Sequence, residues 1–468
     1  MQTARIAELK EGSECSIAGR AIRTFEARGS FIATILDDSG KISVASDSPF
    51  KVGSLVDAAG KVGKHGNSLE FLASSVSLIS EGQEGFGKRI DHFIEANCRP
   101  VEAPMLISDG VMKSLYHLIL DCASRLLRAR FLERPMVMRY HGDADGISGA
   151  LALARGIGSV GRLHSFQNPH TTYEVQDAIR DLNSVRSLGE SSLGGMAILV
   201  DSGSGDESSD ALSLLKGAGF EIVLIDHHPL YSSVSETADC ILSPMLVGAT
   251  SYYTAGLLAG EAAKAMGGPD PIELQKISLA GDKSGLVPPD PAFGKRALAI
   301  DYLGKYSRFA NTLEFYESVL TNEKMLSSVE SQAAAKLERA VRIARESLKV
   351  KELGNGFRLC TANLQKTFKP GEFPGKGMLC GALHDGVSAE MRGPVVTIGY
   401  SGRLFSIRAN LEARERGFDA NGMIGQIRRE LINSIESGGG HDVAASLHVS
   451  DGFENIVLEE IVRYIGTL

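Results

Sequence analysis

Histidines and acidic residues follow three short apolar runs at the points where a strand would end. They are His141-Gly-Asp143-Ala-Asp145-Gly after Met136–Met138, Asp201 after Met196–Val200, and Asp226-His227-His228 after Glu221–Ile225. Open α/β sheets build their sites at the carboxyl ends of parallel strands. One imidazole and two carboxylates at alternating positions suit a divalent metal of intermediate hardness, such as Mn²⁺. Alone, the first of these stretches is equally typical of a helix cap.

A fourth acidic residue follows the same pattern less regularly. Asp282 comes after the apolar segment Ile277–Gly281 and before a glycine turn, so we predict a fourth strand end there. Carboxylates that converge on one sheet edge repel one another unless cations neutralise them. The set therefore predicts a metal site.

These motifs, taken in order, resemble the DHH phosphoesterase superfamily. His141-x-Asp-x-Asp-Gly, Val200-Asp201, Asp226-His-His and the late Asp282 match its pattern, and Gly438-Gly-Gly-His441 matches the signature of its associated C-terminal domain. The resemblance covers about residues 110–468. Within the superfamily, the chain is most similar to the archaeal RecJ-like exonucleases, which are specific for single strands.

The resemblance implies two divalent metal ions, with Mn²⁺ favoured and Mg²⁺ as the alternative. One ion would be bound by His141, Asp143 and Asp201, and the other by Asp145, Asp201, His227 and Asp282. Asp201 would bridge them as a catalytic residue. Asp226 would orient an imidazole, and His228 would donate to a phosphate oxygen.

The resemblance also assigns the substrate contacts to the C-terminal domain. They are Arg408, Gly438, Gly439, Gly440 and His441. The superfamily often has Arg-Ser where this chain has Arg408-Ala409, so the contact at this point departs from its pattern. Without the resemblance, three consecutive glycines are typical of a flexible turn.

Periodicity predicts the elements that position these residues, and the resemblance implies which of them form the DHH and DHH-associated domains. We predict an α/β protein with an OB-like β-barrel over residues 1–82, a linker over 83–108, a parallel-sheet DHH catalytic domain over 109–306, a helical connector over 307–352 and a smaller α/β DHH-associated domain over 353–468. Apolar spacing predicts a long helix from Asp109 to Leu132 and another from about Ala420 to Ile435. The stretch that begins at Ala249 is predicted to open a helix carrying Ser251 and Thr254.

The N-terminal strands have the pattern of an OB-fold, whose exposed sheet face often binds single-stranded nucleic acid. Candidate contacts are Phe25, Arg28, Phe31, Lys61, Lys64 and His65. The alternative is a barrel that serves protein contacts, including contacts between subunits. The helical connector is a second candidate for a subunit interface.

Composition sets broad limits on the function. The chain has 468 residues, 43% of them hydrophobic and 23% charged, and a net charge of −8. The longest apolar runs are shorter than the ~18 residues needed to span a bilayer, so we expect a cytoplasmic protein without membrane contact. The six cysteines are scattered without a Cys-x-x-Cys pair, which predicts reduced, mostly buried thiols.

Three functions compete. The first is a metal-dependent exonuclease on single-stranded DNA or RNA in DNA repair or replication, with replication or repair proteins of the helicase type as further partners. The second is a phosphodiesterase for short oligonucleotides or cyclic dinucleotides. The third is a replication scaffold without activity, which the complete set of ligand positions disfavours. The N-terminal barrel favours the first.

Overall fold

The computed structural model describes residues 3–27, 29–79, 84–158, 162–186, 190–191, 194–306 and 312–468. Its backbone forms three β-sheets. The chain divides into two compact units, one formed by residues 1–294 with 312–317 and the other by residues 295–311 with 318–468. The predicted α/β class is confirmed. None of the described helices is both long and apolar enough to cross a membrane.

The first sheet is the predicted N-terminal barrel. Its strands are β1 (Thr3–Ala4), β2 (Glu14–Ala27), β3 (Ser30–Leu36), β4 (Lys41–Ser46), β5 (Leu55–His65) and β6 (Ser68–Leu78), with a 3-10 turn at Ile6–Glu8. Strands β2 to β6 follow the order β2-β3-β4-β6-β5, and β5 pairs again with β2. Only the β4–β6 pair within this ring is parallel. This closed path is the five-stranded Greek-key topology of an OB-like barrel.

Small residues let the barrel close. Gly60 lies at a register shift between β5 and β6. A Cβ at this position would lie 2.1 Å from the carbonyl oxygen of Leu72, so any larger residue would push the strands apart. Side chains such as Ile17, Ile35, Val44 and Phe71 fill the interior.

An ion cluster around Glu133 holds the barrel against the parallel-sheet domain of the same unit. Thr34 donates to Oε2 of Glu133 at 3.0 Å, and Lys41 Nζ lies 3.1 Å from its Oε1. Lys41 also donates to the carbonyl of Phe131 at 3.0 Å. The short strand β9 (Glu190–Ser191) pairs with β2 as well. Part of the outer face of β3 and β4 is therefore covered by this domain.

The second sheet is the parallel sheet predicted for the catalytic domain. Its strands are β7 (Pro135–His141), β8 (Arg162–Asn168), β10 (Met196–Val200), β11 (Glu221–Ile225) and β12 (Cys240–Leu242), in the order β12-β11-β10-β7-β8. All four neighbouring pairs are parallel. The residues of β7, β10 and β11 are almost entirely buried, as expected for a sheet covered on both faces.

Helices cover this sheet and connect its strands. They are α1 (Glu84–Asn97), α2 (Gly110–Phe131), α3 (Ala144–Ile157), α4 (Val175–Arg186), α5 (Ser209–Gly217), α6 (Ser232–Ser235), α7 (Ala255–Ala265) and α8 (Ile272–Gly281), with 3-10 turns at Asp206–Ser208 and Pro244–Val247. The predicted helix from Asp109 is confirmed, and Asp109 caps it by accepting from Met112 N–H. The helix predicted from Ala249 begins only at Ala255, with Thr254 as its cap.

The predicted strand before Asp282 is wrong. Ile272–Gly281 is the helix α8, and Asp282 is its C-terminal cap residue. The apolar segment Ile277–Gly281 is buried on a helix that packs against α3 and α7. A short apolar run fits a buried helix as well as a buried strand, and only the tertiary contacts separate the two.

Within the predicted connector over residues 307–352, the described residues form the helices α10 (Leu313–Leu320) and α11 (Glu323–Arg345), but its last four residues are a strand of the third sheet, Lys349–Glu352. The helix α9 (Pro291–Tyr306) precedes this segment. The start of α10 belongs to the first unit. Tyr316 is buried there and donates to Gln167 at 2.5 Å, while Glu317 pairs with Arg155 at 2.8 Å.

The third sheet is mixed and forms the second unit. Its strands are β13 (Lys349–Glu352), β14 (Arg358–Asn363), β15 (Val395–Ser401), β16 (Leu404–Ala409), β17 (Ile435–His441) and β18 (Ala444–Val449), in the order β13-β14-β15-β16-β18-β17. Its helices are α12 (Lys376–Glu390), α13 (Leu411–Glu415), α14 (Ala420–Glu430) and α15 (Glu454–Gly466). The helix predicted to reach Ile435 ends at Glu430, because Ile435 already pairs with Val449 in the sheet.

Candidate metal centre

The metal-ligating candidates lie at the carboxyl ends of three neighbouring parallel strands. His141 is the last residue of β7, Asp201 follows β10, and Asp226 and His227 follow β11. Asp143 caps α3 by accepting from Gly146 N–H at 3.0 Å, which places Asp145 in the first turn of that helix. The chain therefore delivers these groups to one sheet edge, as the sequence predicts.

Asp201 is shared between two of the three groups of potential metal ligands. The first of these two groups consists of His141, Asp143 and Asp201. The second consists of Asp201, His227 and His228. The third group, Asp145, His227 and Asp282, shares His227 with the second. In the first group, Nδ1 of His141 lies 2.8 Å from Oδ2 of Asp143 and 3.1 Å from Oδ2 of Asp201. These separations would let the three donors face one small cation.

His227 lies at the centre of the other donors. Its Nε2 is 3.3 Å from Oδ1 of Asp201, 3.3 Å from Oδ2 of Asp282 and 3.6 Å from Oδ2 of Asp145. Although Asp282 ends a helix instead of a strand, α8 carries it to the same place. All six predicted ligand residues thus occur in these groups.

A backbone carbonyl fixes the tautomer of His227. Nδ1 lies 2.6 Å from the carbonyl oxygen of Ser251. Because a carbonyl can only accept, Nδ1 must carry a hydrogen, so Nε2 is the nitrogen that faces the three carboxylates and becomes a ligand once it loses its proton. This is the arrangement in which histidine binds a metal, with the second ring nitrogen held by a backbone acceptor.

Asp201 supplies the observation that best tests whether a cation fits. Its side chain is 1% exposed, and its Oδ1 accepts no hydrogen bond from any described residue. The imidazoles of His227 and His228 lie 3.3 and 3.4 Å from this oxygen. A buried carboxylate oxygen without a donor is costly, and a metal ion would satisfy it. The residues present therefore fit a bound cation.

Donors from α7 and α8 hold Asp145 in place. Its Oδ2 accepts from Ala255 N–H at 2.9 Å, and its Oδ1 accepts from Gly256 N–H at 2.7 Å and from Ser278 Oγ at 2.5 Å. A Cβ on Gly256 would lie 2.7 Å from the Cβ of Ser278, so this close approach requires glycine. Sequence reasoning missed Ser278 and the amides, since they lie more than 100 residues from Asp145 and no local pattern marks them.

The charges of the site perturb one another strongly. Burial, followed by the charge of Asp201, raises the pKa of Asp145 to about 6. Burial and then Asp145 raise the pKa of Asp282 well above its ordinary value. Burial alone would lower the pKa of His141 and His227, but the neighbouring carboxylates outweigh it and raise both. Protons therefore offset the carboxylate charge in the absence of a cation, and a bound cation would displace them.

Asp226 contacts His228. Its Oδ1 lies 2.8 Å from Nδ1 of His228 and accepts from the His228 N–H at 3.1 Å, while Oδ2 accepts from Ser204 N–H at 3.3 Å. Burial would raise the pKa of Asp226, but His228 outweighs it and holds the pKa below its usual range. Asp226 is thus placed to orient the imidazole of His228.

The predicted substrate residues lie in the second unit. Arg408 and His441 both pair with Ala444, and Ser406 and Gly439 both pair with Ser446. Residues in one cross-strand row face the same side of a sheet, so Arg408, Gly439 and His441 share a face. The opposite face carries Phe405, Ile407 and Leu447 of the apolar core.

The glycine run is a strand and not the flexible turn that the glycines alone suggest. Gly438, Gly439 and Gly440 belong to β17, which forms a tight hairpin with β18. A Cβ on Gly440 would lie 2.3 Å from the carbonyl oxygen of Ala444, whereas one on Gly439 would meet nothing within 4 Å. Gly439 is therefore the open position of the run.

The candidate contacts on the barrel have mixed surroundings. Lys61 and His65 are exposed, and Lys64 pairs with Glu11 at 2.6 Å. Phe25 lies beneath the guanidinium of Arg23, 4.2 Å from its ring centroid. Phe31 packs against the barrel core. Arg28 lies outside the described residues.

Known families and structures match this arrangement. Residues 136–277 match the N-terminal domain of the DHH family. This segment is therefore similar to a DHH domain. The whole chain is 26% identical to the uncharacterized protein MJ1198 of Methanocaldococcus jannaschii, over 97% of this chain and 68% of that protein.

Solved structures share the fold of the DHH domain and its neighbours. One is the DHH domain PF0399, described as a member of the S1p family of ribosomal proteins, with 23% identity, a TM-score of 0.72 and coverage of 82% of this chain and 98% of that one. Another is RecJ of Thermus thermophilus in complex with Mn²⁺, with 14% identity, a TM-score of 0.51 and coverage of 82% and 58%. The likeness to RecJ is thus one of fold, at low sequence identity.

Proposed function

We propose that this DHH-family phosphoesterase is a two-metal exonuclease that hydrolyses single-stranded DNA or RNA. The observation that carries the proposal is Asp201, whose two carboxylate oxygens face two different groups of ligands while Oδ1 has no hydrogen-bond donor among the described residues. His141, Asp143 and Asp201 would hold one ion, and Asp145, Asp201, His227 and Asp282 the other. Mn²⁺ is favoured over Mg²⁺ because two imidazoles join the carboxylates.

Two metal ions bound here would lower the pKa of a water nucleophile and neutralise charge that develops on the phosphate. The chain's own groups supply the rest. Asp226 orients His228, which donates to a phosphate oxygen from the edge of the site. His227 is fixed by the Ser251 carbonyl, so its Nε2 stays available as a ligand throughout.

Substrate binding is assigned to the second unit, with Arg408, Gly439 and His441 on one sheet face and the backbone of Gly438 and Gly440 beside them. Gly439 leaves space for a close approach to the backbone, and Arg408 supplies the charge. We retain the division into five segments, from the barrel over residues 1–82 to the DHH-associated domain over 353–468, as part of this proposal.

A second candidate function is the hydrolysis of short oligonucleotides or cyclic dinucleotides. The barrel supports it in two ways. Residues 1–79 contain nine Lys and Arg and nine Asp and Glu, so they have no excess of positive charge to attract a long strand. Thr34 and Lys41 of its β3–β4 face are also engaged with Glu133 and are not available to nucleic acid.

A product-length time course separates the two. Single-stranded DNA and RNA of about 20 to 30 nucleotides, labelled at the 5′ or the 3′ end, are incubated with protein and MnCl₂. The exonuclease predicts stepwise shortening from one end, whereas the alternative predicts turnover only of substrates a few nucleotides long. Full activity in excess chelator would contradict both.

A further inference from the structure

Three of the candidate metal ligands stand on one short segment, residues 141–145, which joins β7 to α3 and is called the metal loop below. Gly142 lies between the first two of these ligands. Its N–H donates to the carbonyl oxygen of Asn168, the last residue of β8, at 2.9 Å. Asn168 also stands beside His141 in the register of the parallel sheet. The end of β8 therefore holds the backbone of the metal loop.

The side chain of Gln167, the preceding residue of β8, packs against the same loop. A Cβ on Gly142 would lie 2.4 Å from Nε2 of Gln167 and 2.9 Å from its Cδ. The amide group of Gln167 thus occupies the space in which a side chain of residue 142 would stand, and the loop approaches it this closely only because Gly142 is a glycine. Since the two groups are in direct contact, the position of the amide limits the positions that the metal loop can adopt.

A buried tyrosine of the connector fixes this amide. The hydroxyl of Tyr316 donates to Oε1 of Gln167 at 2.5 Å, and the tyrosine is 0% exposed. A short hydrogen bond to a buried hydroxyl costs free energy to break, so the Gln167 amide is held in one orientation. The two residues are 149 positions apart in the chain, and for this reason sequence reasoning missed the pair.

An ion pair anchors the next residue of α10. Both carboxylate oxygens of Glu317 lie 2.8 Å from Nη2 of Arg155, and Nε of Arg155 donates to Oε2 at 3.1 Å. Arg155 stands in the last turn of α3, the helix whose first turn carries Asp145. Because a pair with several parallel contacts fixes geometry better than a single contact, Tyr316 has a defined position relative to α3 and the metal loop.

We propose that Tyr316 and Gln167 are positioning residues for the metal loop. Tyr316 holds the amide of Gln167, the amide holds Gly142, and the loop then presents His141 and Asp143 to one cation. The inference rests on the proposed function, which assigns these two side chains as ligands. Residues that touch no ion still change the affinity of a metal site, because they decide where its ligands stand. A tyrosine of the connector thus contributes to the metal centre.

The first test removes only the hydroxyl. Tyr316→Phe keeps the buried ring, so the full-length variant should remain folded. Calorimetric titration with MnCl₂ should show an affinity about tenfold lower than that of the wild type. The matched control is Tyr464→Phe, which removes a tyrosine hydroxyl that donates to the carbonyl of Asp419 in the second unit and should leave Mn²⁺ affinity unchanged. Wild-type Mn²⁺ affinity in Tyr316→Phe would overturn the proposal.

The second test asks whether the effect passes through Gly142. Gly142→Ala places a Cβ against the amide of Gln167 and should weaken Mn²⁺ binding by itself. In the Tyr316→Phe background the hydroxyl no longer holds this amide, which can then move aside for the new methyl group. The double variant should therefore bind Mn²⁺ at least about threefold better than the product of the two single effects predicts. Effects that multiply without coupling would overturn the proposed route.

A measurement without metal distinguishes failure of this proposal from failure of the proposed function. Amide hydrogen exchange in EDTA reports how often the bond from Gly142 N–H to Asn168 opens, and Tyr316→Phe should speed exchange in a peptide covering residues 139–146 about tenfold. Exchange in a peptide covering β11 should stay unchanged, and equal acceleration in both peptides would overturn the proposal as general destabilisation. If exchange responds as expected but the wild type binds no Mn²⁺, the metal centre is wrong and the positioning contact remains. If the wild type binds Mn²⁺ but Tyr316→Phe changes neither exchange nor affinity, the positioning role is wrong and the metal centre remains.

Discussion

Replacing Asp201 by Asn should separate metal binding from folding. The two side chains have the same shape, but Asn lacks the charge and the second ligand oxygen that Asp201 presents to its two groups of neighbours. Asp201 raises the pKa of both Asp145 and Asp282, so its loss relieves repulsion there. The substitution also removes the attraction between the Asp201 carboxylate and the imidazoles of His141 and His227. Because these effects oppose each other, the metal-free variant should unfold within about 1 kcal/mol of the wild type.

The metal-dependent part of the stability should behave differently. A ligand at about 100 times its dissociation constant stabilises the native state by about 2.7 kcal/mol per site. Wild-type protein should gain at least this much from MnCl₂, and Asp201→Asn should lose most of it, because each ion loses a charged ligand. Thermal unfolding with MnCl₂ and with EDTA measures the difference.

The matched control is Asp210→Asn, which removes a carboxylate outside the site, at the start of α5. It should keep the full gain from MnCl₂. If Asp201→Asn also keeps the full gain, Asp201 is not a shared ligand, and the reasoning from its buried oxygen is refuted.

Three further predictions follow from the same geometry. Ser278→Ala should lower Mn²⁺ affinity about 10- to 100-fold, measured by calorimetry, because it removes one of the two donors that hold Oδ1 of Asp145 in place; unchanged affinity would show that the two amides of α7 suffice. The gain in stability from MnCl₂ should grow between about pH 5 and pH 8, because the pKa of Asp145 is raised to about 6 and the metal-free fold keeps a proton that the unfolded chain has already lost. As the pH rises, this carboxyl stabilises the metal-free fold less, and the proton no longer competes with Mn²⁺. A gain that is flat in unfolding scans across this range would contradict the prediction. His441→Ala should raise KM or lower kcat about 10- to 100-fold on single strands without changing Mn²⁺ affinity, and wild-type kinetics on every strand length would remove the C-terminal sheet face from substrate binding.

The sequence predicted the parts of the site that follow the local pattern. His141, Asp201 and His227 each stand at the end of an apolar run. Such runs predict buried parallel strands, whose carboxyl ends meet at one edge of the sheet. Asp282 lies beside Asp145 and His227, but it was predicted on the wrong kind of element, because five apolar residues fit a buried helix as well as a strand.

What the sequence did not predict depends on contacts between distant segments. Ser278 and the amides of α7 hold Asp145 across more than 100 residues, and nothing in their own neighbourhood marks them. The same holds for Glu133, which binds barrel residues. The glycine run by itself predicted a flexible turn, and only the pairing with β18 makes it a strand.

Electron paramagnetic resonance of the Mn²⁺-loaded protein tests the central claim most directly. If Asp201 bridges two ions, the wild type should bind two Mn²⁺ per chain and give an exchange-coupled dimanganese signal, and Asp201→Asn should give at most the six-line signal of isolated Mn²⁺. A wild type that binds one ion per chain, or two ions that show only isolated signals, would contradict a shared two-metal centre.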